Sequence, residues 1–518
     1  MMMKKRGVNA VWDSITNLAA GRTRSYEYPR QPLPEWNVGE EEYLFLHNLN
    51  ILDVDVGKIR DERGLLVRNR RIEELVLPQD FESVRANYRI EKEIDGDGQY
   101  LIPGLSDLHC HVSLVSEFGA GLKEMSYWDA QRLKNSEETL KQGCTFIRDC
   151  GGSWQILEYL KSEIEANRLP GPRIMTSHAP ITPRGGMWDE GVLANYLAPL
   201  FFGGKMFRGN KRVGFPRNER EILDVMAVLD EGGCDFFKTY FEDKPIYGHK
   251  QTTVYTMFSP QQARLIRERA DQCGKKVAAH SLFIKGSRRA IEAGLDTLEH
   301  CTVDAPYTLD DAKTMAQRGI AIVPTLSIGC FLAMECGGQG YPDDPEVRFF
   351  AELRKRNAVA HARQVAVPQL WKSYQRFFEW LDTRFEVRKM PIVGKVYPER
   401  VHGFAHFAPE SIRNFQEAGV RVGVGTDGGT GITFCGFLEN EFEALHRYGY
   451  SKAQVLRMAT LGNMEILGLE DNLGSLEEGK YADMVLLDDN PFEDLIACKK
   501  VRMVFKDGRL VYEWIKEK

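Results

Sequence analysis

Segments that read as strands alternate with segments that read as helices from residue 101 to residue 467, and this alternation limits the possible folds more than any other feature. Short apolar runs that stop at polar residues occur at 101–105, 144–149, 173–177, 235–240, 277–280, 297–300, 320–326 and 420–426. Each is too short for a stable helix and has the composition of a buried strand. Several of the intervening stretches declare a helix start. Ser259-Pro260-Gln261-Gln262 offers an N-cap serine, a first-turn proline and a third-position glutamine, and Ser451 with Gln454 repeats the capping box. Eight strand-plus-helix units in one run predict a parallel (β/α)8 TIM barrel, whose chemistry stands at the C-terminal ends of its strands.

The rest of the chain divides around this run. Residues 1–42 are polar, with Pro29, Pro32 and Pro34 close together, and read as an N-terminal arm. Residues 43–104 change to short strand-like pieces broken by charged and glycine turns, and the same texture returns at 468–518. A small β-rich module assembled from both termini is expected, with the 105–467 barrel inserted between its halves. The stretch 327–408 is far longer than one barrel helix requires. It carries aromatic and basic residues (W-K-S-Y-Q-R-F-F-E-W-L) and His361, His402 and His406, to which no role attaches. A connection of that length reads as a lid, an oligomer contact or a helical excursion with a buried aromatic face.

Composition removes some partners. At 518 residues the chain exceeds one ordinary domain, and 43% hydrophobic residues suffice for a large core. A net charge of -6 without a basic stripe argues against nucleic acid. The ten cysteines are scattered with no C-x-x-C pair, as expected of reduced cytoplasmic thiols. No apolar run is long enough to span a membrane, and the start M-M-M-K-K-R-G-V-N-A-V-W-D-S-I has its apolar part interrupted by Asp13, so neither export nor a membrane partner is expected.

The strand ends carry the functional signal. In Asp107-Leu108-His109-Cys110-His111, residues two apart on a strand share a face, so His109 and His111 aim together while Cys110 faces away. Lys238 stands at the fourth strand end, His280 at the fifth, His300 at the sixth and Asp427 at the eighth. Any one of these histidines alone reads as a hydrogen-bonded near-core residue. Four of the eleven histidines at strand ends read instead as a metal centre built from different strands.

The motifs P-G-L-S-D-L-H-C-H, G-C-T-F-I-R-D, the strand lysine, A-A-H-S, A-I-E-A-G-L-D-T-L-E-H, G-T-D and L-G-S-L-E-E-G-K-Y-A-D-M-V-L-L-D-D-N-P resemble the amidohydrolase superfamily, in its metal-dependent peptidase and imidazolonepropionase-like branch. The resemblance implies a metal-bearing barrel with a β-sandwich built from both termini. It also implies His109, His111 and Asp427 as ligands of one divalent ion, His280 and His300 as ligands of a second, and Lys238 as the bridge, with zinc the expected metal. An ammonium has no lone pair, so Lys238 can bridge cations only after its amine loses a proton and adds carbon dioxide to become a carbamate. Two such ions about 4 Å apart would activate a shared water for attack on a carbonyl, with Asp427 as ligand and base. Tyr240, two residues beyond Lys238, is either a donor to the oxyanion or a packed barrel tyrosine.

Relatives often carry Gly-Gly-His after the third strand, whereas this chain reads Thr182-Pro183-Arg184-Gly185-Gly186-Met187-Trp188. Arg184 could pair with a substrate carboxylate, or be a solvated surface residue. The expected activity is hydrolysis of an amide bond in a small molecule such as a dipeptide, an N-acyl amino acid or an aryl amide or carbamate. Two alternatives are a mononuclear deaminase, which lacks a bridging lysine, and a non-catalytic scaffold, which would have lost ligands. A homo-oligomer, most simply a two-fold dimer, is expected from the commonness of that assembly.

Overall fold

The computed structural model describes residues 42–115, 127–187, 189, 215–245, 247–248, 254–332, 344–384, 395–396 and 398–514. The expected arm 1–42 therefore lies outside the described residues except for its last member. So do Trp188 and the parts 333–343, 385–394 and 397 of the long connection.

Seven parallel strands follow the expected order. Leu105–Cys110, Cys144–Asp149 and Arg173–Thr176 form one sheet with the middle one central, and Phe237–Tyr240, Val277–His280, Thr297–Glu299 and Ala321–Val323 form a second in sequence order. Parallel bridges continue the pairing beyond each sheet: Ile181 with Thr239, Ile322 with Val422, and Cys110 with Gly428. Between strands stand helices such as Trp128–Lys141, Trp154–Glu165, Glu219–Glu231, Pro260–Gln272, Ile284–Ala293 and Leu309–Gln317. The capping boxes at Ser259 and Ser451 both form.

Two strands differ from expectation. The run 101–105 is split at Gly104, where an added Cβ would stand 2.0 Å from Thr145 Oγ1. Tyr100–Pro103 pairs with Met484–Leu487 in a different sheet, and the parallel strand begins at Leu105. Residues 420–426 are extended but form no regular strand. Gly423 and Gly425 bring this backbone so close that a Cβ on Gly425 would lie 2.5 Å from Val323 Cγ1 and 2.8 Å from the His109 nitrogen. Asn463 substitutes for part of the ladder, accepting from the Val424 N–H at 2.9 Å and donating to the Val424 and Ser106 carbonyls at 3.1 Å each. Buried backbone groups that lose a sheet partner need such a replacement.

Strands from the two ends of the chain share one sheet, and strands from the N-terminal side alone form another. Arg509–Glu513, Val501–Lys506, Met484–Leu487, Tyr100–Pro103, Asn50–Asp53 and Lys58–Ile59 form six neighbours in that order, and Arg71–Val76, Gly64–Arg68, Tyr43–His47 and Ile90–Asp95 form four. Leu46 and Leu65 of the smaller sheet and Ile51, Leu101, Leu486 and Phe505 of the larger bury into one apolar cluster. The long connection carries the helices Pro345–Val365, Pro368–Arg384 and Pro398–Ala418 and a short strand, Lys395–Val396, paired antiparallel with Tyr247–Gly248, with Leu370, Tyr374 and Phe378 buried in the main core. No helix among the described residues is long and apolar enough to cross a membrane.

Candidate metal centre

Six of the residues singled out at strand ends converge. His109 Nε2 and His111 Nε2 lie 3.6 and 3.1 Å from Asp427 Oδ1, and Lys238 Nζ lies 3.4 Å from His109 Nε2. His300 Nε2 faces His280 Nδ1 at 2.8 Å, and the rings of His109 and His300 are 4.7 Å apart. Lys238 is completely buried and His109 and His300 nearly so. The backbone bends to make this possible. His300 and Asp427 both have left-handed φ, 78° and 55°, as does Thr325 at 48°. Each such non-glycine residue carries a strain of roughly 1–3 kcal/mol that the surrounding structure must hold.

The far nitrogens of three histidines are tied down, which settles where their near nitrogens point. His109 Nδ1 contacts Glu299 Oε2 at 2.7 Å, His111 Nδ1 contacts the Gly151 carbonyl at 2.6 Å, and His300 Nδ1 contacts Thr325 Oγ1 at 2.6 Å. Glu299 is held in turn by Arg148 at 2.7 Å and Thr297 Oγ1 at 2.6 Å. Beneath the pair, Asp107 accepts from the His109 and Thr426 N–H groups, each at 3.0 Å, and from Thr426 Oγ1 at 2.6 Å. Burial pushes its carboxyl up to about 6.

The electrostatics suit a cation. Burial, then the charge of Lys238, hold His109 well below the usual imidazole range, and burial followed by neighbouring histidines does the same for His280 and His300. These rings are neutral, with lone pairs available. Burial opposes charge on His111, but the adjoining Asp427 carboxylate outweighs it and raises the pKa. Asp427 is pushed up by burial yet ends below the usual carboxylate range, because His111 donates to it and other positive neighbours surround it. Without an ion, two imidazole nitrogens 2.8 Å apart can share only one proton; a divalent ion satisfies both lone pairs. His109, His111 and Asp427 offer three ligand atoms within 4.8 Å of one another. The donor set fits a metal.

Two other expected residues are placed differently. Tyr240 is buried at the end of the fourth strand, its ring 4.4 Å from that of His280, so it lines the cluster. Arg184 is outside it, with a side chain 64% exposed and Nε 3.1 Å from Asp189 Oδ2. His361, Nε2 2.5 Å from Glu439 Oε1, and His406, Nδ1 3.3 Å from Asp344 Oδ2, bind their helices to neighbours instead of joining the centre. Strand-end reading passed over Glu299 and Arg148, whereas it named Asp107 at the first strand end without a role. All three lie inside quoted motifs, L-E-H, T-F-I-R-D and S-D-L-H-C-H; Glu299 adjoins His300 and Asp107 precedes His109 by two residues, but Arg148 has no ligand beside it in the chain.

Comparison with known proteins identifies the family. The family model described as "Amidohydrolase family" matches residues 100–511. Ochratoxinase of Aspergillus niger is 24% identical over 442 residues, 79% of this chain and 75% of that protein. Guanine deaminase of Escherichia coli is 35% identical, but only over 118 residues, 18% of this chain and 27% of its own. Among solved structures, a Xaa-Pro dipeptidase with bound methionine in its active site superposes with a TM-score of 0.66 at 22% identity, covering 91% of this chain and all of that one. This chain belongs to the amidohydrolase family and is a hydrolase acting on carbon–nitrogen bonds.

Proposed function

We propose that the protein adds water across the amide bond of a small molecule, such as a dipeptide, an N-acyl amino acid or an aryl amide or carbamate. The observation that carries this reading is the convergence of His109, His111, Lys238, His280, His300 and Asp427 in one buried cluster. His109, His111 and Asp427 would hold one divalent ion, and His280 and His300 a second, with carboxylated Lys238 between them; zinc matches this imidazole and carboxylate donor set. When bound, such ions supply Lewis acidity toward the scissile carbonyl and bring the pKa of water toward neutrality.

The chain's own groups do the rest. Asp427, kept ionised by its neighbours, takes a proton from the attacking water and passes it to the departing nitrogen. Tyr240 donates from its phenol to the oxygen that becomes negative. Lys238 gains its anionic form when the neutral amine adds carbon dioxide, forming an N–C bond and losing a proton. A bare ammonium at this place would lie against the His109 imidazole at 3.4 Å, and no ion pair to a carboxylate accompanies it among the described residues.

We read the pairing that runs from strand to strand, through Ile181, Val422 and Gly428, as a closed (β/α)8 barrel of residues 105–467. The two sheets that share a core we read as a β-sandwich of residues 43–104 and 468–518. Ochratoxinase and the Xaa-Pro dipeptidase, by name, favour an amide-bearing small molecule over a nucleobase, while the short match to guanine deaminase keeps deamination as the contrasting outcome. Metal analysis of purified protein, followed by a screen of N-acyl amino acids, dipeptides, aryl amides and carbamates, tests the reading. Two ions per chain with amide cleavage support it; one ion, an unmodified lysine and ammonia released from nucleobases would replace it. Light scattering against the 59.0 kDa chain mass tests the two-fold dimer, which a monomer at micromolar concentration rules out.

A further inference from the structure

Of the four clustered histidines, His280 is the one whose far nitrogen has no hydrogen bond. Its Nδ1 faces His300 Nε2, and its ring is sandwiched near Tyr240 at 4.4 Å, so the ring's position is set while its proton is not. Glu242 Oε1 stands 3.0 Å from that unpartnered Nε2, near enough but out of line for a hydrogen bond. Glu242 follows the fourth strand by two residues and is 3% exposed; its Oε1 accepts from the Leu282 N–H at 2.6 Å, and its Oε2 has no hydrogen-bond partner among the described residues. Asp243 and Asp304 stand nearby, Asp243 paired with Lys285 at 3.2 Å and Asp304 with Lys244 at 3.1 Å. A buried carboxyl left half satisfied, beside two further carboxylates, is unfavourable for the fold. Something other than stability accounts for its place.

The proton inventory supplies the reason. For a cation to sit between His280 Nδ1 and His300 Nε2, both atoms must present lone pairs. His300 meets the condition because its Nδ1–H donates to Thr325 Oγ1, which itself donates to the Pro324 carbonyl at 2.9 Å. His280 meets it only if its proton rests on Nε2, and a proton there needs an acceptor. Glu242 Oε1 is in reach after a small rotation of the imidazole, and hydrogen bonds of this kind are often misaligned before the site is loaded.

We propose that Glu242 is a positioning residue that holds the His280 proton on Nε2 and so aims Nδ1 at the cation, as Glu299 does for His109 from the other side of the cluster. This rests on reading the cluster as a cation site. No residue-type rule pointed to it, since Glu242 lies beyond the strand end in F-E-D-K-P, away from every motif that carried the resemblance.

The test compares zinc binding by the whole chain in three forms: wild type, Glu242→Met and Glu242→Gln. Each is reconstituted with zinc in bicarbonate, zinc per chain is counted by elemental analysis, and affinity is read by competition with a chelator, with circular dichroism as the control for folding. Loss of an outer partner of a metal-bound histidine weakens binding by about 10- to 100-fold, so Glu242→Met should release one of two ions at chelator concentrations that leave wild type loaded. Glu242→Gln keeps an acceptor for the Leu282 N–H and weakens binding less, by roughly 3- to 10-fold, because a neutral amide oxygen is the poorer acceptor. A folded Glu242→Met that holds both ions as tightly as wild type overturns the proposal. Should that variant fail to fold, Glu242→Gln at wild-type affinity overturns it. Wild type that takes up no stoichiometric zinc removes the cation-site reading and this inference together, whereas two ions in wild type with unaffected variants removes the role of Glu242 alone.

Discussion

Among the described residues, the polar cluster around Arg173 and the histidine cluster are built on opposite principles. Where the third parallel strand begins, Arg173 forms a two-pronged pair with Asp483 at 2.9 and 3.1 Å and also reaches Asp507 at 2.5 Å, which Arg70 meets at 2.6 Å. Arg71 and Arg173 lie over the face of Tyr481, 4.1 and 4.6 Å from its centre. Charges of opposite sign alternate there, and the cluster ties the parallel-strand region to the sheet formed by the C-terminal hairpin. At the other cluster, His109 and His111 face the Asp427 carboxylate, Lys238 lies against His109 and His280 against His300, with His300 and Asp427 in left-handed conformations. The first cluster is complete as protein. The second leaves imidazole nitrogens facing each other and a carboxylate, a donor set that fits a cation, and the difference separates a cluster closed by its own ion pairs from one built of ligand atoms.

The largest expected effect strikes the second cluster alone. His109→Ala, Asp427→Ala or Lys238→Ala should reduce turnover by more than the roughly 100-fold that follows loss of an outer partner, with circular dichroism unchanged. Short carboxylic acids should restore part of the activity of Lys238→Ala by filling the place of the carbamate. Retained turnover in Asp427→Ala would end its assignment as base. The mirror experiment is Arg173→Met, which leaves Asp483 and Asp507 facing each other. Breaking a buried pair costs about 3–5 kcal/mol, and because Arg173 keeps 21% of its side chain exposed the loss should fall near the lower end, about 3 kcal/mol in urea unfolding, with zinc per folded chain unaltered. A stable Arg173→Met, or one that sheds metal, would erase the distinction.

Tyr240→Phe should lower kcat by about 100-fold with little change in KM if the phenol donates to the oxyanion; an unchanged kcat would make Tyr240 a packing partner of His280. The smallest effect concerns Glu441, which lies outside both clusters and accepts from the Ser327 N–H at 2.7 Å and its Oγ at 2.9 Å, two residues after Thr325. Burial pushes its carboxyl from 4.5 up to about 8. The folded state therefore holds this proton more tightly than the unfolded chain. The stabilisation is fully present below about pH 4 and is lost as pH rises toward 8. Urea midpoints of wild type should fall across that window, and Glu441→Gln should flatten the fall; parallel curves would refute the assignment.

Much of this was legible from residue order. The alternation of strand and helix runs located seven parallel strands, and polar residues at or just beyond their ends, with Asp427 after the irregular segment 420–426, named the six residues that converge, because a strand's period of two fixes which side chains share a face. Reading failed where tertiary contact decides. Gly104 divides one apolar run between two sheets because Thr145 occupies the space a side chain would need. The segment 420–426 keeps backbone bonds to Ile322 and Leu108 on either side, but at Val424 the side chain of Asn463, 39 residues away in sequence, takes the place of a strand partner. Arg184 carries the right chemistry for a carboxylate but points to Asp189, since a loop residue's direction is not fixed by any period.

The sequence by itself determined which atoms could ligate and on which strand ends they would stand, since residue type and local periodicity suffice for both. Only the tertiary structure decided which nitrogen of each histidine is free. That choice belongs to Glu299, Gly151 and Thr325, groups brought alongside from other strands. A proton on an imidazole is placed by whatever acceptor packs against it, and no local pattern in the chain records that neighbour.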